Sequence, residues 1–237
     1  MASRLSRYLW KRRRLSLGSV ELEYEGLQDL DQAIDVVCSE ADLDDLHSVD
    51  EALDLSPYFG IVWPSALGLI YHLEKKIISR SIVPAHRILE IGCGLALPSF
   101  VATRFGGDVI ATDFHADVPV FLDLNKAANN IDFEYRVMNW RSEIERTKNT
   151  LGMFDLVLGS DILYESQHSL EVAKALIAFL NPGGKIILAD PGRAYIQKFI
   201  STMKELGYPE VFTTQKVPAK LTQKNIDREI YLFEFSK

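Results

Sequence analysis

Much that would fix a function at sight is missing from this chain of 237 residues. Only two cysteines occur, Cys38 and Cys93, which excludes a disulfide framework, and no His, Cys and Asp cluster has the spacing of metal ligands. No apolar run approaches the roughly 20 residues that cross a bilayer. Residues 1–7 also lack the apolar core of a secretory signal. These absences predict a soluble, metal-free, monomeric protein with no membrane partner, in a reducing, cytoplasmic compartment. Repeats and low-complexity tracts are absent too. Cations are missing from one long stretch. Residues 21–54 hold thirteen Asp and Glu and no Lys or Arg, directly after twenty residues with six Lys and Arg and no acid.

That asymmetry hides inside a net charge of -7. The basic stripe beside Tyr8 and Trp10 is either a surface for nucleic acid or an acidic partner, or a solvated arm neutralised by its own acidic neighbour. The adjacency of opposite charges favours the second and argues against nucleic acid. Residues 1–55 read as an N-terminal extension. Residues 14–17 and 20–24 alternate apolar and polar side chains around Gly18-Ser19, a hairpin signal, and the acidic run after them reads as short helices or loops. Residues 56–237 are expected to form the main domain. With 47% hydrophobic and 25% charged residues, the chain can bury one sizeable core.

Pro64 suits the first turn of a helix that runs through Leu67, Ile70, Tyr71 and Leu73 to Lys75-Lys76, and Pro84 breaks the segment after it. Trp63, just before that helix, is either a core aromatic or a lid. A regular alternation follows: strand 87–91, helix 97–105, strand 108–112, helix 118–129, strand 133–137, then a polar stretch. Strand 154–159, helix 169–180, a turn at Asn181-Pro182-Gly183-Gly184 and strand 185–189 complete it. The pattern predicts an α/β fold whose mostly parallel sheet is wound on both faces. Its ligand crevice should lie at the carboxyl ends of the strands. Runs 211–217 and 229–235, with no helical pattern between them, predict a closing antiparallel hairpin.

Strand 87–91 stops at Gly92-Cys93-Gly94, where missing Cβ atoms either let a ligand lie against the turn or serve packing alone. Leu97 stands where a dinucleotide fingerprint expects its third small residue, and Gly-x-x-x-x-Gly-Lys is absent, which argues against NAD and ATP. Glu90, inside the strand end, favours a ligand with a cationic amino-acid part. Asp113 ends the second strand, where a carboxylate binds ribose hydroxyls or caps the next helix. Asn139 and Trp140 suit a purine edge and face, or a turn and a core. Ser160, Asp161 and Tyr164 follow the fourth strand, and one helical turn from 161 to 164 would put an exposed carboxylate and a phenol on one side. Together these groups fit S-adenosylmethionine.

Ile88-Leu89-Glu90-Ile91-Gly92-Cys93-Gly94, Ala111-Thr112-Asp113, Leu124-Asn125 with Asn129, Asn139-Trp140 and Ser160-Asp161-Ile162-Leu163-Tyr164-Glu165 resemble the seven-strand class I methyltransferases. More narrowly, Asp161 and Tyr164 are similar to the Asp-x-x-Tyr/Phe mark of the family-16 protein lysine methyltransferases. Val62-Trp63-Pro64 and Asp190-Pro191-Gly192-Arg193 resemble its nicotinamide N-methyltransferase-like group, which includes enzymes modifying lysines of the electron-transfer flavoprotein β-subunit. The resemblance covers about residues 58–237. It implies a Rossmann-like seven-stranded methyltransferase domain that uses S-adenosyl-L-methionine. Glu90, Gly92 and Gly94 would surround its methionine part and Asp113 its ribose. Asn139 and Trp140 would meet the adenine, Trp63 would close the site, and Ser160 would join the cofactor contacts. Asp161 and Tyr164 would face the acceptor amine.

The expected activity is therefore N-methylation of lysines in a protein substrate. Alternatives are methylation of a small amine or pyridine, and a non-catalytic module that binds the cofactor or a partner. RNA is disfavoured by the balanced charge beyond the arm and by the absence of Asn/Asp-Pro-Pro-Tyr at 160–164. His115 and His168 stand alone and read as surface or capping residues.

Overall fold

The computed structural model describes residues 7–39, 55–82, 86–140, 144–165, 168–221 and 226–237. Arg4 of the basic arm, the acidic residues 40–54 and Pro84 lie outside the described residues. Strands β1 (Trp10–Leu17) and β2 (Val20–Leu27) form the expected hairpin, with Leu17 paired to Val20 around the Gly18 turn. Two basic residues of the stripe meet acids of β2: Arg12 bonds Glu25 at 2.8 Å and Arg14 bonds Glu21 at 2.9 Å. Helix α1 (Leu30–Ser39) starts where the Asp29 carboxylate accepts the Gln32 N–H at 3.1 Å, a side-chain cap.

The hairpin is fastened by an unusual ladder. On α4 (Val118–Asn129), the amide of Asn125 accepts the Glu25 N–H at 2.5 Å and donates to the Glu25 carbonyl at 3.2 Å. One turn on, Asn129 accepts the Glu23 N–H at 3.0 Å and donates to its carbonyl at 2.6 Å. Four residues of helix advance about 6 Å and two of strand about 6.6 Å, so the two amides stand in for a neighbouring strand. Leu15, Leu17, Val20 and Leu22 are buried beneath, in one core with α4, α2 (Pro64–Ile78) and α3 (Leu97–Arg104).

The main sheet has seven strands in the order β5-β4-β3-β6-β7-β9-β8. These are β3 (Arg87–Ile91), β4 (Asp108–Asp113), β5 (Glu134–Val137), β6 (Phe154–Ser160), β7 (Leu180–Asp190), β8 (Glu210–Val217) and β9 (Arg228–Phe235). Strands β3 to β7 are parallel, and β9 runs antiparallel to both β7 and β8. Alternate residues feed opposite faces. Leu156 and Leu158 join the core under α2, α3 and α4, whereas Val157 joins a second core under α5 (Ile144–Leu151), α6 (His168–Ala178) and α7 (Ile196–Glu205). None of the described helices is long and apolar enough to cross a membrane.

Three expectations about elements need correcting. The polar stretch after β5 contains α5, which buries only Thr147 and Leu151 and so shows little apolar period. The run Asn181-Pro182-Gly183-Gly184 lies within β7 rather than before it. Phe154 pairs with Leu180 and the register then shifts, while Pro182 lacks a ladder N–H and Gly183 adopts φ +77, as in a bulge. No element was expected at residues 196–205, yet Ile196, Phe199 and Met203 bury one face of α7.

Candidate active site

Strands β4 and β6 flank β3 on opposite sides, so the crossing direction reverses at the carboxyl end of β3. A cavity of about 290 Å³ opens there. Of the residues singled out in sequence, Trp63, Gly92, Gly94, Asp113, Trp140, Ser160, Asp161 and Tyr164 line it. Glu90 and Asn139 do not: Glu90 is fully buried behind the turn, and Asn139 is exposed.

Both glycines adopt positive φ, +63 at Gly92 and +51 at Gly94. A Cβ at 92 would lie 2.8 Å from Ile162, and one at 94 would lie 2.9 Å from the Phe59 carbonyl oxygen. Packing alone therefore demands glycine at both positions. The turn delivers the chain into α3 through Ala96, which has φ 54 and no side-chain oxygen to cap the helix. Glu90 supplies that oxygen from the neighbouring strand: its Oε2 accepts the Ser99 N–H at 3.0 Å and also bonds the Ser99 hydroxyl. Desolvation pushes the Glu90 carboxyl up to about 8, against the opposing effect of the Ser99 bonds. Its other oxygen, Oε1, has no partner among the described residues.

Asp113 ends β4 with one oxygen accepting the Gly94 N–H at 2.9 Å and the other the His115 N–H at 3.0 Å. Burial raises its pKa, against the opposing pull of those N–H groups. It does not cap α4, whose N-cap is Asp117. His115 is not a surface residue. It is buried on the cavity wall, its ring 4.3 Å from that of Phe59. Its Nδ1 accepts the Asp117 N–H at 3.1 Å, which leaves Nε2 to donate to the Leu55 carbonyl at 3.0 Å, and desolvation lowers its pKa. His168 opens α6, and its side chain lies outside the described residues.

Trp63 is the N-cap residue of α2, half-buried, with its indole N–H donating to the Tyr58 carbonyl at 3.0 Å. Its position combines a cavity wall with a helix start. Trp140 is buried in the second core while also lining the cavity.

Asp161 departs from expectation in two respects. Its carboxylate is buried, at 9% exposure, and residues 161–164 form a bend and coil rather than a helical turn. Asp161 itself adopts φ +60, and its N–H donates to the Ala189 carbonyl at 3.0 Å. This unusual backbone still brings Asp161 and the exposed Tyr164 to one cavity. Asp161 Oδ2 faces the Ser65 N–H of α2 at 3.3 Å, and Oδ1 lies 2.5 Å from the Arg193 guanidinium. Local sequence pattern assigns Arg193 no chemical role. The signal available was Asp190 ahead of a Pro-Gly turn with Arg three residues on; the partner across the sheet, Asp161, was visible only once the strands were assembled.

These residues suit S-adenosylmethionine. Glu90 Oε1 is an orphaned buried carboxylate oxygen beside the glycine turn, and Ser56, on the cavity wall, has an orphaned hydroxyl. Asp113 offers a desolvated acceptor and Trp140 an aromatic face to a nucleoside. Among the described residues no group of three His, Cys, Asp or Glu side chains is placed to hold a metal ion.

The strand order, the glycine turn after β3 and the acid ending β4 define the class as that of the S-adenosylmethionine-dependent methyltransferases. The family described as lysine methyltransferase matches residues 44–206, and the chain belongs to it. Among curated relatives, the protein-lysine methyltransferase METTL21E of Bos taurus is 29% identical over 122 residues, 49% of this chain and 41% of that protein. The ubiquinone biosynthesis O-methyltransferase of Xanthomonas campestris is 27% identical over 117 residues, 49% of this chain and 48% of that protein. The chain thus spans about half the length of the curated relatives it matches. Among solved structures, the 16S rRNA N2 G1207 methyltransferase of T. thermophilus, in complex with AdoMet and guanosine, shares the fold. Its TM-score is 0.61 at 17% identity, covering 97% of this chain and 51% of that one.

Proposed function

We propose that this protein transfers the methyl group of S-adenosylmethionine to the side-chain amine of a lysine in a protein substrate. The observation that carries this reading is the buried Asp161 carboxylate at the cavity, already holding one cation, beside the exposed ring of Tyr164. Family membership and the similarity to a protein-lysine methyltransferase support the same acceptor.

S-adenosylmethionine, when bound, supplies an electrophilic methyl on a sulfonium. The chain supplies position, which accounts for most of the rate in an in-line displacement. Asp113 and Trp140, on the cavity wall, would hold the nucleoside end, and Trp63 would close the site. Lysine reaches the protein protonated, with a free pKa near 10.4. The apolar lining of Phe59, Ile61, Val62 and Leu95 disfavours the charged amine, so the proton passes to solvent before the neutral nitrogen reaches the methyl. Asp161 orients the amine and stabilises the positive charge that returns as the nitrogen takes the methyl. Tyr164 flanks the aliphatic stem. His115 is no candidate base, because both its ring nitrogens are engaged.

The test is incubation of the purified chain with radiolabelled cofactor and fractionated lysate, followed by mass spectrometry of the labelled species. Label on lysine within proteins is the expected result. Label confined to small amines would overturn the acceptor, and cofactor binding with no label anywhere would overturn catalysis.

A further inference from the structure

Arg193 sits where an acceptor's cationic head would be expected. Its backbone is fixed: buried Asp190 accepts the N–H groups of Gly192 and Arg193 through one oxygen, each at 2.7 Å. Its side chain is a quarter exposed and lines the cavity with Asp161, Tyr164 and Trp63. One guanidinium nitrogen lies 2.5 Å from Asp161 Oδ1 and 3.4 Å from Asp190 Oδ2. Two carboxylates thus share one cation, unequally.

We propose that Arg193 is a specificity-determining occupant of the acceptor subsite, holding Asp161 until an alkylammonium group replaces it and then withdrawing onto Asp190. The inference rests on the amine-methylating reading above. Formal charge supports it: two carboxylates, Asp161 and Asp190, against one guanidinium, Arg193, leave one negative charge, which a single entering monocation balances. Geometry supports it as well, because the second carboxylate already stands beside the guanidinium and the side chain can reach it without moving the tethered backbone. A neutral acceptor, such as a phenol or a nucleobase amine, brings no charge to displace the guanidinium. The site therefore discriminates by charge before any chemistry begins.

The experiment titrates n-butylammonium chloride into the full chain saturated with S-adenosylhomocysteine, at constant ionic strength, following the fluorescence of Trp63 and Trp140 with Trp10→Phe in every variant. Arg193→Gln should bind n-butylammonium at least tenfold more tightly than the native chain. Arg193→Lys, which keeps the cation, should stay within about threefold of native, and adding Asp161→Asn to Arg193→Gln should abolish the gain. No gain in Arg193→Gln, or a gain that survives Asp161→Asn, overturns the proposal. Equal S-adenosylhomocysteine affinity in every variant reports an intact fold. Should Arg193→Gln fail that control, Asp190→Asn tests the other arm: loss of the receiving carboxylate should weaken n-butylammonium binding several-fold, and unchanged binding overturns the proposal equally. Separately, failure of the native chain to label any amine would sink the proposed activity while leaving these binding results standing.

Discussion

Four acids stand at or just beyond the carboxyl ends of the parallel strands; all four accept N–H groups, and they fall into two pairs by whether a guanidinium joins in. Glu90 and Asp113, on β3 and β4, are satisfied by N–H and hydroxyl donors of Ser99, Gly94 and His115, and burial raises the pKa of both. Asp161 and Asp190, after β6 and at the end of β7, share the guanidinium of Arg193. Burial raises the pKa of Asp190 as well, so what sets the second pair apart is the guanidinium, a counterion that carries heavy atoms with it. A guanidinium has to swing aside. The β3/β4 side is thus ready for a cationic ligand, whereas the β6/β7 side must first give one up.

Three changes would break or sharpen that contrast. Asp161→Asn should reduce methyl transfer by about 100- to 1000-fold, the scale of one lost electrostatic contact in a transition state. Initial rates with labelled cofactor measure it, and S-adenosylhomocysteine affinity should stay within about threefold. A matching loss of affinity would show that the two sides are one site. Asp113→Ala should do the reverse, weakening S-adenosylhomocysteine by roughly 10- to 100-fold in a calorimetric titration, the range for a hydrogen bond to a charged group. Undiminished binding would remove Asp113 from the nucleoside.

The smallest effect concerns Glu90 and is read in stability. Its folded pKa of about 8 stands above the ordinary 4.5, so the native state keeps a proton that the unfolded chain surrenders. The associated stability is complete below the unfolded value and is lost as pH rises through the folded one, at up to about 1.4 kcal/mol per pH unit. Urea melts of the cofactor-free chain at successive pH values should show that decline. Glu90→Gln, which keeps an acceptor for Ser99, should flatten it. A slope indifferent to the substitution would contradict the protonated state.

Short-range pattern made much of this legible in sequence. Strand 87–91 and helix 118–129 coincide with β3 and α4 residue for residue, because their apolar spacing and their bounding glycine, proline and asparagine are local facts. What escaped was set by distant partners. Asn125 and Asn129 were visible as a motif, but their grip on Glu25 and Glu23 spans about a hundred residues of chain. His115 is buried rather than at the surface because the Phe59 ring that covers it comes from far upstream. Glu90 pointed toward a ligand on its sequence position alone, and the Ser99 bonds reveal that it also caps a helix lacking a capping residue of its own. The Asp161 and Arg193 pairing depended on two strand ends meeting, which no local spacing encodes.

The left-handed backbone at Asp161, with φ +60, carries a cost of roughly 1 kcal/mol for any residue with a β-carbon. Glycine would escape it, but would strip the carboxylate from both the Arg193 guanidinium and the Ser65 N–H. Breaking a buried ion pair by removing one partner costs about 3 to 5 kcal/mol, so the strained torsion is outweighed by what the side chain holds. The left-handed turn is thus pinned by the groups its own carboxylate touches, as a latch is held by its catch.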